Sequence, residues 1–217
     1  MNIASYIDHT VLKINTSKED IERICQEAQQ YQFAAVCVPP FFVKKAAQLL
    51  QNSKTKVATV IGFPLGYSST PAKIEEIKRA IDDGADEIDA VINICALKSQ
   101  NWNYLRNDID SMTTATHLKG KQIKLILETG LLSEKEIEQL CEMALDIKPN
   151  YLKTSTGFNG VGAELEKVRL IKRLVGSSIA IKASGGIRNL HDALAFVEAG
   201  AKRIGTSSGV IIAQEQQ

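Results

Sequence analysis

Three charged residues sit where a buried strand should be apolar. Asp89 interrupts EIDAVIN, Lys153 interrupts YLKTSTGF and Lys182 interrupts IAIKASGGIR. Strands covered on both faces normally read as near-continuous hydrophobic runs. Taken singly, each charge is also what a solvated strand end or one buried pair looks like. Burying all three without a use would cost several kcal/mol per unpaired ion. Their types fit one chemistry, the attack of an amine on a carbonyl. The amine must first lose its proton, whereas free lysine titrates near ~10.4. Burial and a second ammonium nearby both pull that value down. Two lysines ending neighbouring strands would supply one nucleophile and one cation that keeps it neutral. Asp89 would hold the second lysine charged and pass protons. Spacing does not say which lysine attacks.

Two short segments carry a second signal. Ser184-Gly185-Gly186-Ile187-Arg188 follows Lys182, and Gly205-Thr206-Ser207-Ser208-Gly209 follows Ile204. Small residues let backbone N–H groups approach a ligand, and a helix starting there turns its positive end toward an anion. Either segment alone is also what a tight turn looks like. Together, after the last two strands, they point to a phosphate-bearing substrate. Other polar residues stay ambiguous: Glu128 and Thr129 as rim or pocket, Arg188 as phosphate ligand or surface charge. The run KIEEIKR (73–79) reads as a solvated helix face, and His191 as first-turn and exposed.

The elements that must position these residues follow from periodicity. Apolar runs at 6–9, 34–38, 57–61, 87–92, 123–128, 151–154, 179–183 and 203–206 read as strands. Between them, Ile21, Ile24, Cys25 and Ala28 recur at helical spacing, as do Ile137, Leu140, Cys141 and Ala144. Val43, Ala46, Ala47 and Leu50 form another such stripe, and Trp102, Leu105, Ile109 and Met112 a similar one. Ser17 with Asp20, and Ser133 with Glu136, have the spacing of capping boxes. Thr70 before Pro71 reads as an N-cap, and Gly84 and Gly200 as helix ends. Eight strand–helix units imply parallel strands with helical crossovers. The number eight, the absence of a Gly-x-Gly-x-x-Gly after the first strand, and polar residues at the strands' C-terminal ends favour a closed (β/α)8 barrel over an open sheet. One domain over 1–217 is expected.

Composition removes several function classes. Against 25 acidic residues stand 26 basic ones, a net charge of +1 with no basic run, which argues against nucleic acid as a partner. Hydrophobic residues make up 44% and charged ones 24%, which excludes a disordered chain. No apolar run approaches a membrane span, and Asp8 and His9 fall where a secretory signal needs its apolar stretch. A cytoplasmic location is expected. The four cysteines are scattered without a Cys-x-x-Cys pair and read as buried or half-buried free thiols. The three histidines lack ligand spacing, so no metal site is expected.

Eight segments, in order, resemble the deoxyribose-phosphate aldolase family along nearly the whole chain. They are YIDHTVLK, AAVCVPPFFV, VATVIGFPLG, GADEIDAVINICALKS, IKLILETGLL, YLKTSTGF, IKASGGIR and AKRIGTSSG. The resemblance implies a cofactor-free, metal-free class I aldolase that reversibly cleaves 2-deoxy-D-ribose 5-phosphate to D-glyceraldehyde 3-phosphate and acetaldehyde. It puts the imine on Lys153, a second, proton-transferring lysine at Lys182 and their acidic partner at Asp89. It also implies phosphate binding by Gly157, Gly185, Gly186, Gly205, Ser207 and Ser208, and a place for Asp8 in the site's polar network. A homo-oligomer, dimer or tetramer, goes with it. The chain departs from some members in having Phe158 where they have a lysine, and in ending AQEQQ without a tyrosine. The alternatives are another lysine-imine barrel enzyme of transaldolase type and a non-catalytic sugar-phosphate binder. Intact Lys153, Lys182 and Asp89 weigh against the binder.

Overall fold

A computed structural model describes residues 1–217. The strands are β1 (Ile7–Thr10), β2 (Ala35–Val38), β3 (Lys56–Ile61), β4 (Glu87–Val91), β5 (Gln122–Ile126), β6 (Tyr151–Lys153), β7 (Ala180–Ser184) and β8 (Arg203–Thr206). Each lies within two residues of its expected bounds. They pair in parallel in chain order, and β8 returns to β1, with Asp8 opposite Gly205, to close the barrel. Helices α1 (Lys18–Tyr31), α2 (Val43–Leu49), α3 (Thr70–Asp82), α4 (Ile94–Lys98), α5 (Trp102–His117), α6 (Glu134–Ile147), α7 (Leu165–Val175), α8 (Leu190–Glu198) and α9 (Gly209–Gln214) surround it. The fold is the (β/α)8 barrel that the strand count implied.

Alternation along the strands divides the residues between two compartments. Outward positions such as Val36, Ile88, Leu125 and Ile181 join one continuous core beneath the helices. Inward positions differ around the ring. On β2 and β3 they are the small or apolar Ala35, Cys37, Ala58 and Val60, a separate cluster of four. On the other strands they include seven charged side chains. Small side chains on one wall leave room for long ones reaching in from the opposite wall.

Local sequence accounts for the helix ends. Ser17 and Ser133 each accept from the backbone N–H three residues on, and Asp20 and Glu136 bond back, completing both capping boxes. The glycines after α3 and α8 take φ of +108° and +113°, which only glycine holds easily. Three expectations need correction. Thr70 is not the N-cap of α3: Ser69 precedes the helix, and the Thr70 hydroxyl donates to Asp108 Oδ1 at 2.8 Å. The 73–79 run is not wholly solvated, because Lys73 is buried and donates to Asp108 (2.8 Å) and to the Val91 carbonyl (3.0 Å). Cys95 is exposed on α4, whereas Cys25, Cys37 and Cys141 are buried.

Candidate active site

Seven ionisable side chains meet inside the barrel, none more than 8% exposed: Asp8 from β1, Glu87 and Asp89 from β4, Lys124 from β5, Lys153 from β6, Lys182 from β7 and Arg203 from β8. Strand register brings them together, since Asp89 lies opposite Lys124, and Lys153 opposite Lys182, which lies opposite Arg203. Asp89 divides its oxygens. Oδ1 accepts from Lys124 (2.8 Å), and Oδ2 from both Lys153 (2.8 Å) and Lys182 (2.7 Å). Lys182 also pairs with Asp8 (2.5 Å), and Lys124 with Glu87 (2.6 Å). Arg203 donates to both Glu87 oxygens (3.1 and 2.8 Å) and through Nε to Asp8 (2.6 Å).

This network sorts the lysines. Burial lowers the pKa of every buried ammonium, and what opposes it is the number of carboxylates in reach. Lys153 has one partner, Asp89, and stands beside Lys182. Burial prevails there and its pKa falls below the ordinary lysine value. For Lys182, Asp8 and Asp89 outweigh burial and the pKa rises. Burial also works against Lys124 and Arg203, but their carboxylates more than compensate and hold both charged. Desolvation would raise Asp8 and Asp89, yet the surrounding cations keep both carboxyls well below the usual range. Cys37 completes the wall from β2, its thiol pushed up to about 11, chiefly by burial.

Only one cation of the cluster lines a cleft at the C-terminal ends of the strands. Lys153 lines a cleft of about 450 Å³ at the strands' C-terminal ends, whose walls include Thr156, Gly157, Phe158 and Ser184. Gly185, Gly186, Gly205 and Ser207 line it too, so the glycine-rich segments and the lysine share one space. Asp8, expected in the site's polar network, sits beneath the cleft inside the ion network, whereas Ser208 does not line the walls. The helix following Gly186 does not start at once: α8 begins at Leu190, and Asn189 caps it by accepting from the Asp192 N–H. Arg188 lines the cleft, is exposed and makes no ion pair. A larger neighbouring cleft of about 800 Å³, lined by Pro39, Phe41, Phe63 and Tyr67, shares Leu12 and Lys13 with the first but contains none of the ion network. The smaller one is therefore the candidate active site.

Backbone around the cleft is tightly specified. A Cβ on Gly205 would lie 2.8 Å from Ser184 Cβ and 2.9 Å from Lys182 Cε, so the bare glycine leaves the lysine its path. Gly162 comes so close to the Gly185 carbonyl that a Cβ would sit 2.2 Å from its oxygen. Glu128, left open by the sequence as rim or pocket, is buried and holds the segment after Lys153. It accepts from the Thr156 N–H (3.2 Å) and hydroxyl (2.5 Å) and from Asn159 (2.9 Å). Phe158 packs edge-on to Phe63 with centroids 5.1 Å apart, joining the loops after β3 and β6 at the mouth.

Lys124, Glu87 and Arg203 escaped the sequence reading. Only Lys124 carried the same signal as Asp89, a charge within an apolar run. Alternation disguised Lys124, flanked by the outward Ile123 and Leu125, and Glu87 and Arg203 open their strands, where a charge normally meets water. The charges thus extend well below the C-terminal ends where they were expected.

Comparison with known proteins agrees with this geometry. A family model described as DeoC/LacD family aldolase matches residues 2–215. The deoxyribose-phosphate aldolase of Thermococcus gammatolerans is 50% identical over 216 residues, 99% of this chain and 96% of that one. Among solved structures, the aldolase QR15 superposes with a TM-score of 0.95 at 41% identity, covering 100% of this chain and 96% of the other. The tetrameric deoxyribose phosphate aldolase of Aeropyrum pernix superposes with a TM-score of 0.92 at 31% identity, over 99% and 90%. The chain belongs to the DeoC/LacD family of aldolases, with the deoxyribose-phosphate aldolases, and is a carbon–carbon lyase.

Proposed function

We propose that the chain reversibly cleaves 2-deoxy-D-ribose 5-phosphate to D-glyceraldehyde 3-phosphate and acetaldehyde through an imine on Lys153. The observation that carries this reading is that Lys153, alone among the network's four cations, faces the cleft and has a lowered pKa. Four cations (Lys124, Lys153, Lys182, Arg203) face three carboxylates (Asp8, Glu87, Asp89), so loss of one proton leaves the network neutral. Lys153, with a single carboxylate partner, gives it up most easily.

Neutral Lys153 attacks the C1 aldehyde of the open-chain sugar. The Lys182 ammonium protonates the carbinolamine oxygen, water leaves, and a protonated imine forms on Lys153 while Lys182 becomes neutral. Through a water, Lys182 then takes the C3 hydroxyl proton as the C2–C3 bond breaks and its electrons flow into the imine. Glyceraldehyde 3-phosphate departs and a neutral enamine stays on Lys153. Lys182 returns a proton to C2, and hydrolysis of the resulting protonated imine frees acetaldehyde, leaving Lys153 neutral and giving the released proton back to Lys182. At each of these stages three positive charges oppose three negative ones, so no step requires an unpaired buried charge. Asp89, its Oδ2 shared by Lys153 and Lys182, keeps the two nitrogens adjacent and serves the relay. Asp8 holds Lys182 from the other side.

The sugar phosphate enters with its anion toward Gly157, Gly185, Gly186, Gly205 and Ser207, beside Ser208, whose backbone N–H donates to the Thr206 hydroxyl (2.9 Å). With Phe158 in place of a lysine, positive charge at that end comes from Arg188. The whole of 1–217 acts as one catalytic unit, in the cytoplasm and as a homo-oligomer, by analogy with the tetrameric Aeropyrum relative.

Borohydride trapping in the presence of 2-deoxyribose 5-phosphate, followed by peptide mass analysis, tests the reading. A reduced adduct on Lys153, lost in Lys153→Ala, is expected. An adduct on Lys182 would reverse the two lysine roles. No adduct, in folded protein that binds the sugar phosphate, would favour a non-catalytic binder.

A further inference from the structure

The ion network reaches further from the cleft than the reaction needs. Lys153, Asp89 and Lys182 suffice for the steps above, yet Glu87 and Arg203, at the first positions of β4 and β8, are also buried and paired inside the barrel. Neither lines the cleft. Arg203 pairs bidentately with Glu87 and bonds Asp8, Glu87 bonds Lys124, and these two partners lead on to Lys182 and Asp89. A purely structural plug would be cheaper as well-packed apolar residues, because buried ion pairs seldom repay their desolvation.

We infer that Arg203 and Glu87 are positioning residues that fix how many positive charges the barrel interior holds, and so keep Lys153 unprotonated. The inference rests on the reading of Lys153 as the imine-forming amine. Its logic is a count. With Arg203 present, four cations face three carboxylates, and one ammonium proton is surplus. Without Arg203 the numbers match while Lys153 is still protonated, so it keeps its proton. Without the Glu87 charge the surplus becomes two, and Lys153 loses its proton more readily.

Within the barrel the charged and titratable groups near Lys153 are Asp8 on β1, Cys37 on β2, Glu87 and Asp89 on β4, Lys124 on β5, Tyr151 on β6, Lys182 on β7 and Arg203 on β8. The cleft it faces adds His9, Lys13, Asp20, Arg23 and Arg188, which all four variants leave in place. The inward residues Ala58 and Val60 of β3 are apolar. No further cation within the barrel stands ready to replace Arg203.

The test compares kcat/KM against pH for 2-deoxyribose 5-phosphate cleavage in wild type, Arg203→Gln, Glu87→Gln, the double variant and Arg203→Lys. Each is checked by circular dichroism and by borohydride trapping on Lys153. The acidic limb, where Lys153 gains its proton, should move to higher pH in Arg203→Gln and to lower pH in Glu87→Gln. Each move should be on the order of one pH unit, the effect of a unit charge across a buried site. The double variant restores the count of one surplus cation, and Arg203→Lys preserves it, so both should return the limb to its wild-type position. Geometric damage alone would instead lower rates without moving the limb, and the two losses would add. A limb unmoved in folded Arg203→Gln, or moved the same way by both single changes, overturns the inference while trapping on Lys153 stands. Absence of a Lys153 adduct in wild type overturns both readings at once.

Discussion

Asp89 binds one lysine through Oδ1 and two through Oδ2, and that division sets what each lysine can do. Lys182 is held by a second carboxylate, Asp8, whereas Lys153 has no other. The difference decides protonation, a distinction no spacing in the sequence carries. Asp89, Lys153 and Lys182 were legible as misfits in apolar runs because each breaks a strand in its middle or near its exit. Lys124 was not, since one inward charge between two outward aliphatics looks like the alternation of a half-solvated strand. At this scale the most exacting test is Gly205→Ala. Its Cβ would press on Lys182 Cε at 2.9 Å, in a side chain pinned by two carboxylates. Displacing a catalytic group by a fraction of an ångström costs about 10- to 100-fold in rate. We expect kcat to fall by that factor together with a lower melting temperature, since the same Cβ lies 2.8 Å from Ser184 Cβ on the neighbouring strand. A Gly205→Ala enzyme with full kcat would show that Lys182 needs no such clearance.

The elements were read closely from sequence because independent signals coincided. Near-continuous apolar runs marked the strands, period-3.6 stripes marked the helices, and Ser17 and Ser133 marked two helix starts through reciprocal backbone bonds. Reading failed where a residue does two jobs. Thr70 has the composition of a cap but spends its hydroxyl on Asp108, one position inside the helix. Lys73 stands among charged neighbours on α3, yet points inward, and only the packing of α3 on α5 could reveal it. That pair holds two helices together behind the barrel wall. Replacing Lys73 by Met leaves Asp108 buried with only the Thr70 hydroxyl as partner, and breaking a buried pair from one side costs about 3–5 kcal/mol. Urea denaturation should show a loss of that size, with most of it recovered in Lys73→Met/Asp108→Leu. A loss below about 1 kcal/mol, the range of an exposed ion pair, would mean that the pair is not sealed from water.

Across the whole molecule, the barrel interior works as one charge-balanced body. Small residues on β2 and β3 make room, β4 through β8 and β1 supply four cations and three anions, and one of the cations lines the cleft. Closure is what makes this possible: Asp8 and Arg203, near opposite ends of the sequence, become neighbours only when β8 pairs with β1. Sequence patterns show that a barrel forms, but not which inward side chains meet across it. The balance also explains why several buried charges coexist in so small a protein. Every carboxylate is shared by at least two cations, and the one cation with a single partner is the one the proposed chemistry needs neutral.

NMR titration of side-chain-labelled lysines would show which amine lacks the proton, with Lys153 and Lys182 assigned through Lys153→Met and Lys182→Met. Lys153 should titrate below the ordinary lysine value of 10.5, while Lys182 stays charged above it. A Lys153 ammonium still protonated beyond that value, with Lys182 neutral in its place, would overturn the assignment of the nucleophile.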